Sequence, residues 1–412
     1  MPTIALVGAL DTKGAEYAYL ADQVSALGAA RLLVDIGVLD EPTITADIPR
    51  ERIAGAGFRD AVGGRSNSTL DELRREHDRN AAMRVMARGA GAVLAELVAA
   101  HQVDGVLAVG GSNAAYVMAE ICGRLPFGFP KVLVSTIAAG DTRSYVRETD
   151  LTLMYPVVDI NGLNRLSRPV LGNAARAVVG MAGRSEQEPD RNVPTVGVSM
   201  FGVTTAAGSA VVQGLSAYDI EALTFHCTGV GGRTLETLIR NGTIEAVADL
   251  TTTELADELV GGVCSAGPGR LTAAASTGVP QVVSVGALDM VNFSSTVPTE
   301  FAGRRLYPHN PAVTLMRTTP EECAELGRRM AARLNPSTAP VAVLFPHRGL
   351  SQLSVPGGAF HDPDADQALY RALKDGLRPG IDLYDFDTDI NDPAVSGTAV
   401  DLLATWLKKE TP

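Results

Sequence analysis

At 412 residues, with 46% hydrophobic and 20% charged side chains, the chain is long enough for two domains and too apolar to be disordered. Its net charge of −12 argues against a general nucleic-acid or anionic-membrane surface, because such surfaces need basic residues to neutralise phosphates. The four cysteines include no C-x-x-C pair, and the N-terminus has no basic, apolar leader. We therefore expect a cytoplasmic protein with no nucleic-acid partner and no membrane partner.

The first predicted strand covers residues 3–9, and a helix is expected to begin near Ala15. Between them, Asp11, Thr12 and Lys13 lie at the carboxyl end of the strand. Lys13 can pair with a phosphate as a point charge, and Thr12 can bind an oxygen. The alternative interpretation is a capped, solvated turn without a ligand.

A long polar excursion follows at residues 40–68, of the kind that often forms a lid or an oligomer contact. Beyond it, apolar residues recur at helical spacing from Met83 to Leu97. This pattern predicts one long helix from about Thr69 to His101.

The segment from Val103 to Thr142 is expected to organise the first half of the chain. It reads as a strand, a glycine turn at Gly110 and Gly111, a helix capped by Ser112 or Asn113, and a second strand. Amide groups at such a helix start attract anions such as phosphate.

The second strand of that segment ends in a loop of small and polar residues, in which Asp141 and Thr142 can bind a hydroxyl or a metal. The residues of this loop that we assign to the ligand site are Thr136, Gly140, Asp141 and Thr142. Two such loops in succession favour an α/β sheet with a ligand across the carboxyl ends of its strands. Glycine turns also occur in α/β proteins that bind nothing here, and the motif is neither G-x-G-x-x-G nor a Walker loop.

A polar linker at residues 183–193 separates two stretches that repeat the same order of strand, turn and helix. The sequence therefore predicts two Rossmann-like α/β lobes with mostly parallel sheets and a cleft between them. The N-terminal lobe would cover residues 1–185, and the C-terminal lobe would cover residues 194–412.

In the second lobe, His226, His347 and Arg317 lie at ends of predicted strands. Histidine can act as an acid or base near neutral pH, and arginine can clamp a carboxylate or phosphate. If this lobe is catalytic, the three should converge on one cleft. Single histidines in loops are, however, usually surface residues or satisfied core residues, and no H-x-H or H-E-x-x-H spacing indicates a metal site.

Several segments together resemble the Tm-1-like ATP-binding domain family, which is named for a plant antiviral resistance protein. They include LVGALDTKGAEY, VLAVGGSNAAYVMAE, VSTIAAGDTRSYV, FHCTGVGGRTLE and FPHRGLSQLSVPGGAFHDPDAD, and the likeness covers nearly the whole chain. The resemblance implies two α/β subdomains, ATP bound by the first of them, and a homodimer. Asn113 stands where the family pattern leads us to expect a glycine.

We therefore expect a protein that binds ATP or another phosphorylated small molecule in its first lobe, with Mg²⁺ accompanying the phosphates. The alternative is a lyase or hydrolase for a small carboxylate or keto acid, with His226, His347 and Arg317 as its acid, base and clamp. A third possibility is a regulatory sensor whose lobes close on the ligand.

Overall fold

A computed structural model of the chain describes residues 1–61, 69–76, 78–183 and 193–408. The chain divides into two compact units, Met1–Asp190 and Arg191–Pro412. Each unit contains a parallel β-sheet with helices on both faces, which confirms the predicted α/β class. Among the described residues, no helix is both long enough and apolar enough to cross a membrane.

The first unit is built on a five-stranded parallel sheet. Its strands are β1 (Thr3–Gly8), β2 (Ala30–Asp35), β3 (Gly105–Gly110), β4 (Lys131–Ser135) and β5 (Thr152–Met154), in the order β2-β1-β3-β4-β5. Its helices are α1 (Leu10–Ala26), α2 (Arg50–Asp60), α3 (Leu70–Glu76), α4 (Arg79–Ala99), α5 (Ser112–Cys122), α6 (Arg143–Val146) and α7 (Ser167–Ala182).

The central strands of this sheet are continuous apolar runs because both of their faces are covered. One face packs against α2, α4 and α5, and the other packs against α1 and α7. The strand order reverses between β1 and β3. Open α/β sheets bind ligands at such a reversal, since the loops on either side of it diverge and leave a crevice.

The second unit has a six-stranded parallel sheet and a small antiparallel sheet. Its strands are β6 (Thr195–Met200), β7 (Glu221–His226), β8 (Ala246–Thr251), β9 (Gln281–Gly286), β10 (Met290–Ser294), β11 (Leu306–Asn310), β12 (Val313–Arg317), β13 (Val341–Pro346) and β14 (Asp382–Phe386). Its helices are α8 (Thr205–Ser216), α9 (Val230–Arg240), α10 (Thr253–Val260), α11 (Ala273–Thr277), α12 (Pro320–Leu334), α13 (Pro363–Gly376) and α14 (Pro393–Lys408).

The large sheet of the second unit has the order β14-β13-β9-β8-β6-β7, and the small sheet has the order β10-β12-β11. The adjacent strands β7-β6-β8-β9-β13 of the large sheet have the same arrangement as β2-β1-β3-β4-β5 of the first unit. The apolar run over residues 280–293 is not a single strand. The chain instead turns at Ala287, whose φ is 58°, and β10 pairs with β12.

Two predicted element boundaries in the first unit are wrong. Helix α1 begins at Leu10, where Asp35 Oδ1 accepts a hydrogen bond from the Leu10 amide at 3.1 Å. The predicted single helix from Thr69 to His101 is two helices, because Asp78 caps a new one by accepting from the amides of residues 80 and 81. Residues 157–160, which follow β5 along the chain, are irregular.

Candidate functional site

A cavity of about 620 Å³ lies at the carboxyl ends of β1 and β3 in the first unit. This is the point where the strand order reverses. Seven of the residues predicted to bind the ligand line it: Asp11, Thr12, Lys13, Gly110, Gly111, Ser112 and Asn113. The turns after the first and third strands therefore contribute to one site.

The glycine turn between β3 and α5 forms one wall of this cavity. Gly110 has a φ of 156°, and a Cβ atom there would lie 2.8 Å from the Cβ of Ala114. A Cβ at Gly111 would meet no atom within 4 Å, so the space above it is open. Helix α5 starts immediately afterwards, and helix geometry leaves the amides of its first turn without an intrahelical acceptor.

The opposite side of the cavity is formed by the segment after β2 and by α3 and α4. Its apolar members are Ile36, Val38, Leu39, Leu73, Ala82 and Met83. Two cations, Arg74 and Arg79, stand among them. The site thus joins a turn rich in amide donors to an apolar slot with positive charge.

Arg74 is the better anchored of these two arginines. Its Nε donates to the carbonyl of Val38 at 2.6 Å, and its Nη1 donates to Asp71 at 3.0 Å. Its Nη2 is buried and has no hydrogen-bond partner within the part of the chain that the structure describes. Neither Arg74 nor Arg79 was predicted as a ligand residue from the sequence.

Asp11 reaches across towards the end of β2. Its Oδ2 accepts from the amides of Leu39 and Asp40 at 3.3 and 3.4 Å. Its Oδ1 is buried and finds no donor among the described residues. Gly37 permits this approach, since a Cβ there would lie 2.8 Å from the Asp11 carboxyl group.

Lys13 lines the cavity, and its ammonium donates to the carbonyl of Ile160. Its φ and ψ of −123° and 18° interrupt α1 after the first turn. An ammonium has three protons, so Lys13 can hold this carbonyl and still contact an anion.

The second predicted loop is not part of the cavity wall. Thr136 starts a short 3-10 helix that ends before Gly140, and Thr142 precedes α6. Asp141 pairs with Arg143 at 2.6 Å, and this guanidinium holds the pKa of the Asp141 carboxyl down at about 2. The structure therefore does not bring Asp141 to the ligand site of Lys13, and its assignment there is corrected.

The second unit does not bring the predicted catalytic residues together. His226 is exposed on β7 and stacks on Phe201, whereas His347 follows β13 and places its Nε2 2.7 Å from Asp385. Three strands separate β7 from β13, which amounts to about 19 Å at the usual strand spacing. The predicted convergence of the two histidines is therefore wrong.

Arg317, the predicted clamp, is buried and already occupied. Its Nη2 lies 2.5 Å from the carboxylate of Asp366, and its Nε donates to the carbonyl of Phe360 at 2.8 Å. These contacts hold the loop after β13 and the start of α13 to the small sheet. They explain Arg317 as a structural residue.

In the second unit, the place equivalent to the cavity is filled by protein. Arg270 is fully buried, and its guanidinium makes a bidentate contact with Asp249 of β8 at 2.5 and 2.7 Å. Glu254 accepts from its Nε at 2.6 Å, and Ser199 of β6 donates to Asp249 at 2.7 Å. This cluster spans the reversal between β6 and β8, and the amides of Gly229 and Gly232 also donate to Glu254.

Within the described ranges, no group of three or more histidine, cysteine or acidic side chains is placed to hold a metal ion. At the cavity, Asp11 and the Thr12 hydroxyl offer oxygen atoms, which are the donors Mg²⁺ prefers. These two side chains fit a Mg²⁺ ion that is bound together with phosphates and keeps some of its water ligands. They do not form a complete cage for the ion.

Comparison with known proteins finds two family models, described as the N-terminal and C-terminal domains of uncharacterised protein family UPF0261, over residues 2–187 and 193–407. A UPF0261 protein of Clostridium tetani is 41% identical over 392 residues, which cover 94% of this chain and 95% of that protein. The ToMV resistance protein Tm-1(GCR237) of Solanum lycopersicum is 37% identical over 394 residues, which cover 90% of this chain but 51% of that protein.

Proposed function

The chain belongs to the UPF0261 family, which includes the Tm-1 proteins of tomato, and we propose that its first unit binds ATP or a closely related nucleotide in the cavity between β1 and β3. The observation that carries this proposal is the composition of the cavity wall. A glycine turn leading into a helix N-terminus faces an apolar slot across the point where the strand order reverses.

The phosphates would lie on the turn after β3. Amides at the start of α5 supply donors and the positive end of the helix dipole, and the absence of side chains at Gly110 and Gly111 lets an anion approach the backbone. Lys13, in the first turn of α1 after the neighbouring strand β1, adds a cation.

The base would occupy the slot between the segment after β2 and helices α3 and α4. Leu73, Ala82 and Met83 offer apolar surface to the faces of an aromatic ring. Mg²⁺ would enter with the triphosphate, since carboxylate oxygens next to phosphates are its usual environment. In the described part of the second unit, the histidines of the lyase or hydrolase alternative lie apart, on β7 and after β13.

The test replaces Gly111 by valine and measures ATP binding by calorimetry. Valine fits the backbone there, since its Cβ enters open space, but its side chain would fill the approach to the turn. We expect ATP binding to be lost while the melting temperature stays near that of the wild type.

Gly180→Val is the matched control, because Gly180 of α7 also has no atom within 4 Å of its Cβ position and lies outside the cavity wall. It should bind ATP as the wild type does. Unchanged ATP affinity in Gly111→Val would refute the proposed phosphate position, and an absence of ATP binding in the wild type would refute the function itself.

A further inference from the structure

Of the three cations on the cavity wall, Arg79 is the one whose side chain has no partner among the described residues. It is exposed at the first residue of α4 and makes no hydrogen bond or ion pair there. The other two are engaged, since Lys13 donates to a main-chain carbonyl, and Arg74 donates to another carbonyl and to Asp71. The N–H groups of the Arg79 guanidinium are therefore available for a ligand.

The face of α4 that carries Arg79 is the face that lines the cavity. Ala82 and Met83, three and four residues further along, lie on the same side of the helix and also contribute to the cavity wall. Side chains on a helix lean towards its N-terminus, and Arg79 is the first residue of α4. Arg79 therefore marks the end of this wall that lies beyond the apolar slot.

The packing of α4 beside α5 puts Arg79 level with the proposed phosphate position. Both helices run away from the carboxyl ends of the strands, since α4 leads into the start of β3 and α5 follows its end. Gly91 of α4 lies beside Glu120 of α5, because a Cβ at Gly91 would be 3.2 Å from the Glu120 carbonyl oxygen. Counted back from this contact at about 1.5 Å per residue, α4 begins about 6 Å beyond the first residue of α5. An anion on the amides of α5 lies in the same direction, just beyond that residue.

We propose that Arg79 binds the outer phosphates of the nucleotide, opposite the glycine turn, and makes the site prefer triphosphates to monophosphates. This inference rests on the proposed function and deepens it, because the glycine turn and the start of α5 are enough to hold a single phosphate. Neighbouring helices pack about 8–10 Å apart, which leaves room for phosphates between the two elements. A guanidinium presents its N–H groups in a fixed fork that matches two phosphate oxygens.

The test is a calorimetric comparison of ATP, AMP and inorganic tripolyphosphate at one fixed Mg²⁺ concentration, with the wild type and Arg79→Ala. The loss of charge-assisted hydrogen bonds should weaken the binding of ATP and of tripolyphosphate by about tenfold to a hundredfold. AMP, which has no outer phosphates, should bind to the variant as it does to the wild type. The preference for ATP over AMP should therefore shrink by the same factor.

Arg84→Ala is the matched control, because Arg84 is a second exposed arginine of α4 that lies outside the cavity wall. It should bind all three ligands as the wild type does. Arg79→Lys keeps the positive charge but not the planar fork, so its affinity for ATP should lie between those of the wild type and Arg79→Ala. Since both arginines are exposed, the melting temperatures of the variants should stay near that of the wild type.

Unchanged ATP affinity in Arg79→Ala would overturn the inference while leaving nucleotide binding intact. An equal loss of ATP and AMP binding would also overturn it, because Arg79 would then contact the base, the sugar or the inner phosphate. A wild type that binds neither ATP nor tripolyphosphate would instead refute the proposed function.

Discussion

Tyr17 connects the carboxyl ends of β1 and β3, where the candidate site lies. Its hydroxyl is fully buried, contacts the carbonyl of Val7 at the end of β1, and accepts from the amide of Val109 at the end of β3 at 2.9 Å. Burial raises the pKa of this phenol well above its usual value. Gly8 makes room for the ring, since a Cβ there would meet it at 2.1 Å.

We predict that Tyr17→Phe lowers the free energy of unfolding by about 1–3 kcal/mol, because the Val109 amide loses its buried acceptor. Urea denaturation measures the change. Tyr19→Phe on the same helix is the matched control: its hydroxyl donates to the carbonyl of Arg168 at an exposed position, so the change should stay within about 0.5 kcal/mol. Equal effects of the two substitutions would contradict the role assigned to Tyr17.

The residues of the candidate site were more predictable the closer they lie to a strand end. Asp11 to Lys13 and Gly110 to Asn113 follow β1 and β3 directly, and both turns have a visible signature. Arg74 was not predictable, because its place depends on α3 packing against a segment more than thirty residues earlier. The predicted convergence of His226 and His347 was wrong because the sequence shows where a strand ends but not the order of the strands in the sheet.

At the scale of elements, the start of α12 has a signal that is visible in the sequence: a threonine N-cap, a proline at the first helical position and two glutamates after it. Thr319 accepts from the amide of Glu322 at 3.2 Å, Glu322 accepts from the amide of Thr319 at 2.8 Å, and Pro320 opens the helix. This capping box is a local device, so no tertiary contact was needed to recognise it.

Thr319→Ala should therefore lower the free energy of unfolding by about 1 kcal/mol, the usual cost of a lost N-cap. Thr398→Ala is a suitable control, since the Thr398 hydroxyl bonds to the carbonyl of Ala394 within the exposed side of α14 and caps nothing. It should be neutral or slightly stabilising, because alanine is the better helix former. A neutral Thr319→Ala would show that the box contributes nothing to the free energy of unfolding.

Other elements could not be located from local signals. Asp78 is a good N-cap, but the apolar periodicity on its C-terminal side concealed the break between α3 and α4. Strand β10 continues the apolar pattern of β9, and the single Gly286 before the turn at Ala287 does not distinguish a turn from a bulge within one strand. Both failures arose where tertiary packing overrides the local sequence pattern.

At the scale of the whole molecule, the two units share one strand order but differ at the point where that order reverses. The reversal in the first unit is open and lined by glycines, whereas the reversal in the second unit is closed by Arg270 and its acidic partners. The repeated order of elements was predictable from sequence. The sequence does not reveal which of the two reversals stays open. The difference depends on the buried Arg270, whose partners Asp249 and Glu254 come from β8 and α10.

The second unit also contains buried carboxyl groups that should make its stability depend on pH. Burial raises the pKa of Asp257 to about 7, although amides of Asn292 and Cys264 donate to it. Burial likewise raises the pKa of Asp366 to about 6, against the opposing effect of Arg317. Both values exceed the pKa of about 3.9 expected for an unfolded aspartate.

Because the folded protein then holds protons that the unfolded chain releases, the free energy of unfolding should fall as pH rises from about 4 through about 7. Between pH 5 and pH 8 we expect a decrease on the order of 4 kcal/mol. Trp406, the single tryptophan of the chain, lies in α14 and reports on this unit, so urea denaturation followed by its fluorescence measures the change. Asp257→Asn, which removes one titrating group, should be less stable overall but show a shallower pH dependence; a flat or rising wild-type profile would mean that these carboxyl groups are ionised in the folded protein.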